Sequence, residues 1–113
     1  MKTDIRPWGH FKIFTENEKT TVKIIYVNKN EELSYQSHKN RDEMWYLIDG
    51  KAIVNLDGGL YPFRIKEQIH IKKGMKHNIK ALTNVIFLEI AYGDFDEDDI
   101  IRYEDKYGRE TKS

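Results

Sequence analysis

Along this chain, short apolar runs with β-strand periodicity follow one another, broken by Gly, Asn, Asp or charged residues. Phe11–Phe14 reads as one strand and Thr21–Val27 as a second, the latter rich in β-branched and aromatic residues. Met44–Ile48 and Ala52–Leu56 flank Asp49-Gly50, a strong hairpin signal, and a second turn at Asp57-Gly58-Gly59 leads into Leu60–Ile65. Pro62 has no N–H to give a ladder, so this run is expected at a sheet edge or a bulge. Further strands are expected at Gln68–Ile71, His77–Ala81 and Val85–Ala91. Only Asp96–Tyr103, with an acidic start followed by Ile100-Ile101, reads as a short helix. The expectation is an all-β chain forming one domain over residues 1–113, with eight or more strands in a barrel or sandwich. Arg109–Ser113 reads as a frayed polar tail, and there is no internal repeat or linker.

At 113 residues the chain is long enough for one core and short for two. It has no cysteine, which excludes disulfides and thiolate zinc sites and agrees with a reducing compartment. Nineteen basic residues balance nineteen acidic ones, so the formal net charge is zero. That balance argues against nucleic acid, whose phosphates call for a basic excess. No apolar run reaches the roughly 20 residues of a membrane span, and Met1–Trp8 lacks the apolar centre of a signal peptide. A cytoplasmic protein without membrane contact is expected.

The chemistry-bearing residues are concentrated in Gln36-Ser37-His38-Lys39-Asn40-Arg41-Asp42-Glu43. On a strand, Gln36 and His38 share a face, being two residues apart. Glu43 follows a short turn and can return beside that face, and His77 comes after the turn Lys73-Gly74-Met75-Lys76. Two imidazoles, a carboxylate and an amide oxygen suit a borderline divalent ion such as zinc, manganese, iron, nickel or cobalt, with zinc placed first. Four protein ligands leave room for water or substrate.

Gln36-x-His38-x4-Glu43-x6-Gly50 resembles the first motif of the cupins, with Gln36 in place of the first histidine, and Gly74-Met75-Lys76-His77 resembles the second. The likeness is closer to the cupin domain of type II mannose-6-phosphate isomerases, which in bacteria is often fused behind a mannose-1-phosphate guanylyltransferase. It is carried by Arg6-Pro7-Trp8-Gly9, by Leu33–Gln36 with His38, Arg41, Glu43 and Trp45, by Glu97–Asp105, and by Tyr107-Gly108-Arg109. Lys39 and Asn40 stand where the family has histidines, and Lys73 replaces the usual proline of the second motif. The resemblance implies a double-stranded β-helix (jelly-roll) barrel with one divalent metal on Gln36, His38, Glu43 and His77. It further implies a hexose phosphate substrate, isomerised between mannose 6-phosphate and fructose 6-phosphate through a cis-enediolate. No nucleotidyltransferase domain precedes the cupin here, so guanylyltransferase activity is not expected.

Within that reading Arg41 is the electrostatic catalytic group, and Arg102 and Arg109, with Lys76 behind them, are candidates for the substrate phosphate. Each of the last three can instead pair with an acidic neighbour. A metal-bound hydroxide, a lysine or Glu89 can serve as base. His10 and His70 are read as ordinary strand residues, and Trp8, Trp45, Tyr46 and Tyr61 as core or dimer contacts. Asp94–Asp99 lacks the spacing of a calcium loop and is read as a solvated helix start. A homodimer formed through a strand edge is expected. The competing functions are a binding protein for a sugar or sugar phosphate, and a cupin enzyme of other chemistry such as a nucleotide-sugar ketoisomerase or a dioxygenase.

Overall fold

A computed structural model describes residues 1–111. The strands are β1 (Lys2–Arg6), β2 (Gly9–Ile13), β3 (Thr20–Val27), β4 (Tyr35–Ser37), β5 (Glu43–Asp49), β6 (Ala52–Leu56), β7 (Gly59–Phe63), β8 (Gln68–Ile71), β9 (His77–Ala81), β10 (Val85–Tyr92) and β11 (Ile101–Glu104). They form a two-stranded sheet β1-β2, a four-stranded sheet β3-β10-β5-β8 and a five-stranded sheet β11-β4-β9-β6-β7, all antiparallel. β7 is an edge strand, so Pro62 leaves no ladder bond unmade, as expected. No helix forms among the described residues, and none is long and apolar enough to cross a membrane.

The expected helix at Asp96–Tyr103 is therefore corrected. The Asp96 carboxylate accepts the Asp98 N–H at 2.9 Å, which turns the chain locally. Ile101–Glu104 then pairs with β4, because an edge of the five-stranded sheet is open to it. The tail expectation is also corrected for Arg109–Thr111. The Thr111 N–H donates to the Arg102 carbonyl at 2.8 Å, and Arg109 is held by Asp105. Lys112 and Ser113 lie outside the described residues.

Alternation fixes which side chains enter the space between the two larger sheets. On β5 the inward row is Glu43, Trp45 and Leu47; on β9 it is His77, Ile79 and Ala81; on β10 it is Val85, Phe87, Glu89 and Ala91, all buried. Each row is apolar toward one end, and on β5, β9 and β10 it carries an ionisable residue toward the other. Val27, Leu47, Val54, Phe63, Ile79 and Phe87 close the apolar end, each large side chain contributing roughly 1.5–3 kcal/mol by burial. Trp45, fully buried, is the partition between core and polar end. Its ring packs on Phe87 at 4.9 Å and edge-on to His77 at 5.5 Å, and its Nε1–H donates to Glu89 Oε1 at 3.3 Å.

Candidate metal centre

The polar end gathers His38, Glu43 and His77, all buried, with one potential ligand atom from each within 4.8 Å of the others. Glu43 Oε1 lies 3.8 Å from His38 Nε2 and 3.7 Å from His77 Nε2. Both rings are oriented from behind. His38 Nδ1–H donates to the Asp99 carbonyl at 2.7 Å and His77 Nδ1–H to the Met75 carbonyl at 2.9 Å, which leaves both Nε2 lone pairs facing Glu43. Burial pushes both imidazoles below their ordinary range, His77 to about 4, so both are neutral near pH 7.

The donor set fits a divalent cation on two grounds. Glu43 Oε1 and His77 Nε2 are buried without a hydrogen-bond partner, a costly arrangement unless something else satisfies them. Two neutral imidazoles and a carboxylate also match the ligand preferences of zinc and its neighbours. Gln36 stands opposite His77 across β4 and β9, and with His38, Arg41 and Glu89 it lines a cavity of about 180 Å³ beside the cluster. Its Oε1 accepts the Ser34 hydroxyl at 2.6 Å.

Arg41, 6% exposed, is the one guanidinium inside the cluster. Its Nε donates to Glu43 Oε2 at 3.0 Å, Nη2 to His38 Nε2 at 3.3 Å and Nη1 to the Asp96 carbonyl at 3.2 Å. It is thus a buried member of the cluster and not a solvated loop residue. Asp99 ties the same segment down, its carboxylate accepting the N–H groups of Lys39 and Asn40, both at 2.9 Å.

Arg102 and Arg109 also line the cavity, and their situations differ. Arg109 forks onto Asp105, with Nε to Oδ2 at 2.7 Å and Nη2 to Oδ1 at 3.2 Å, which holds the Asp105 carboxyl down at about 2. Arg102 sits opposite Gln36 across β11 and β4, and its buried Nε has no partner. Lys76 is not brought to this cavity; its Nζ lies over the Tyr103 ring at 4.4 Å.

Two members of the site were only partly read from sequence. Glu89, named above only as one possible base, faces the cavity, and burial, with Glu43 second, raises its carboxyl to about 7. Lys23, opposite Glu89 across β3 and β10, was not singled out. Its Nζ reaches Glu97 Oε1 at 3.1 Å and lies 4.3 Å from the centre of the Phe95 ring, on which Arg41 also packs at 4.5 Å. The available signal was a lone charge in the inward phase of an apolar strand. A larger depression of about 470 Å³, at Gly50–Ile53, Pro62–Ile65 and Leu82, contains no histidine or carboxylate.

Residues 1–105 match the family described as Mannose-6-phosphate isomerase C-terminal. Among curated relatives, the mannose-1-phosphate guanylyltransferase ManC of Salmonella typhimurium is 35% identical over 107 residues, 92% of this chain and 22% of the relative. The xanthan biosynthesis protein XanB of Xanthomonas campestris is 32% identical over 107 residues, 92% and 23% respectively. The chain thus spans under a quarter of the length of these proteins. Among solved structures, the capsular polysaccharide assembling protein CapF of Staphylococcus aureus superposes with a TM-score of 0.65 at 17% identity, over 77% of this chain and 27% of that one. A Klebsiella pneumoniae protein with a double-stranded β-helix domain gives 0.62 at 17%, over 70% and 71%. At such identities the two structures speak to fold alone, and the fold is the cupin barrel.

Proposed function

The chain belongs to the mannose-6-phosphate isomerase C-terminal family, and from that premise we propose that it is a metal-dependent sugar-phosphate isomerase acting between mannose 6-phosphate and fructose 6-phosphate. The observation that carries the reading is the buried His38–Glu43–His77 cluster, two of its ligand atoms unsatisfied, beside a cavity that His38, Gln36 and three arginines line. His38, Glu43, His77 and Gln36 would hold one divalent ion, zinc first. Bound there, such an ion supplies Lewis acidity toward the C1 and C2 oxygens of an open-chain sugar.

The remaining work falls to the chain's own residues. Aldose–ketose isomerisation moves a proton from C2 to C1 while the C1 carbonyl becomes a hydroxyl and the C2 hydroxyl a carbonyl. Glu89 is assigned as the base. Its carboxyl titrates at about 7, so at neutral pH the ionised form can accept the C2 proton and the acid so formed can return it at C1. Arg41 places positive charge where the enediolate oxygens develop negative charge. Trp45 closes the inner wall and keeps Glu89 oriented through its indole N–H. Arg102, with a free buried Nε, and Arg109 are assigned to the substrate phosphate.

The test is a coupled assay for fructose 6-phosphate formed from mannose 6-phosphate, with chelated and metal-reconstituted protein side by side. Turnover lost on chelation and restored by one metal is the expected result. A folded protein inactive with zinc, manganese, iron, nickel and cobalt overturns this reading in favour of a sugar-phosphate binding protein or other cupin chemistry.

A further inference from the structure

β3 contains one charged residue, Lys23, and its side chain takes the inward phase that Ile25 and Val27 share. An ammonium group in that row is costly unless something holds it. Its Nζ lies 4.3 Å from the centre of the Phe95 ring and 3.1 Å from Glu97 Oε1, and Lys23 lines the cavity beside the metal cluster.

Among the described residues four cations line that cavity, and three of them are already engaged. Arg41 donates to Glu43, whose carboxylate is buried, and Arg109 forks onto Asp105, whose side chain is buried too. Lys23 is paired with Glu97, whose side chain is 76% exposed. These pairings differ in how readily they exchange. A buried carboxylate cannot give up its cation without being left uncompensated, whereas an exposed one returns to water at little cost. Glu97 can leave by turning its side chain alone, because the segment carrying it is tied on both sides. The Gly93 N–H donates to the Lys19 carbonyl at 2.9 Å, and the Asp99 carboxylate accepts from Lys39 and Asn40. The Phe95 ring keeps the ammonium in place when Glu97 goes.

The geometry points to Lys23 as the cation that selects for a phosphate on the substrate, with Glu97 holding its place until a phosphate dianion displaces that carboxylate. This rests on the sugar-phosphate reading above in one respect, that the ligand is a phosphate ester. Lys23 on β3 and Arg102 on β11, its buried Nε unpartnered, are then the two cavity cations not committed to a buried carboxylate, one from each of the larger sheets. A phosphate ester carries close to two negative charges and competes well against the single charge of Glu97. A sugar without phosphate has no charge with which to displace it, so the same pair discriminates against neutral ligands.

The test is isothermal titration calorimetry of the full chain with inorganic phosphate at about pH 8, as purified and again after chelation, with circular dichroism on every variant. Lys23→Met should weaken phosphate binding about tenfold or more, and Lys23→Arg should keep it within about threefold. Glu97→Gln should tighten binding about threefold, and this gain should vanish when Lys23→Met is also present. Methionine suits the apolar row of β3 and glutamine an exposed site, so both variants should fold. A wild type that binds no phosphate overturns the assignment. So does a folded Lys23→Met that binds like wild type, or a Glu97→Gln gain that survives without Lys23. A Lys23→Met defect confined to the pH profile of turnover also overturns it, since Lys23 would then act only on Glu89, its neighbour across β3 and β10. A protein with the expected affinities but no turnover of mannose 6-phosphate fails as that isomerase and keeps Lys23 as its phosphate cation.

Discussion

Replacing Glu89 by glutamine tests whether the cavity imposes a cost on a carboxylate. The side chain is 6% exposed, faces Glu43 and accepts from Trp45, and it titrates at about 7 in place of its ordinary 4.5. An acid with a raised native pKa keeps a proton that the unfolded chain has already released. Its stabilising contribution is complete below 4.5 and is lost as pH rises through 7. A displacement from 4.5 to about 7 corresponds to about 3 kcal/mol, of which about 2–3 kcal/mol falls between pH 5 and pH 8. Glutamine has the same shape and never ionises. In urea unfolding of chelator-treated protein, the stability of Glu89→Gln relative to wild type should therefore be about 2–3 kcal/mol more favourable at pH 8 than at pH 5. His77, pushed down to about 4 chiefly by burial, tilts stability the other way as pH falls below 6.5 in both proteins, and since the Glu89 charge is only a lesser influence on it most of that effect cancels in the difference. Equal differences at the two pH values would refute the claim that Glu89 is held protonated by its surroundings. The same variant should lose isomerase turnover at every pH.

His77→Ala removes a ligand whose Nε2 has no other partner, and divalent-ion affinity by competition with a chromophoric chelator should fall at least ~100-fold, beyond the ~10–100-fold typical of losing an outer partner. Asp99→Ala strips the carboxylate from the N–H groups of Lys39 and Asn40 and should cost about 1–2 kcal/mol, a Tm decrease of several degrees by calorimetry. Gly50→Ala should be worse, at least about 3 kcal/mol in denaturant titration. Gly50 has φ +96°, and a Cβ there would lie 2.3 Å from the Asn84 carbonyl oxygen, which is backbone and cannot move aside.

The strands that enclose the core were legible because alternation, turn glycines and β-branched runs agree with one another, as in Met44–Leu56 around Asp49-Gly50. β1 was not. Its sequence Lys-Thr-Asp-Ile-Arg holds one apolar residue, and it is a strand because β2 pairs with it. Asp96–Tyr103 misled because an acidic start is shared by helix N-termini and by Asx turns, and only the open edge of β4 decides between them. His38, Glu43 and His77 came together as their spacing suggested. Arg41 was expected as an electrostatic group of the site and is buried there, yet nothing local distinguishes it from a surface loop arginine until Glu43 and Phe95 are beside it. Lys76 sits one residue before a candidate ligand but in the turn that precedes β9, and its Nζ lies over Tyr103, while alternation within β3 separates Lys23 from Val22 and Ile24.

The hydrogen bond from His38 to Asp99 bridges 61 residues, and Lys39 and Asn40 reach the same aspartate across 60 and 59. Loop closures of that length are slow and come late, since their entropy must be overcome before any contact rewards it. During synthesis both histidines are made before Asp99 exists, and β11 cannot pair with β4 until later still. The barrel is therefore expected to collapse around Trp45 and Phe87 first and to acquire an oriented His38 last. A chain halted before residue 99 would contain the ligand residues but not their geometry, so the nascent protein stays indifferent to metal until its final segment docks.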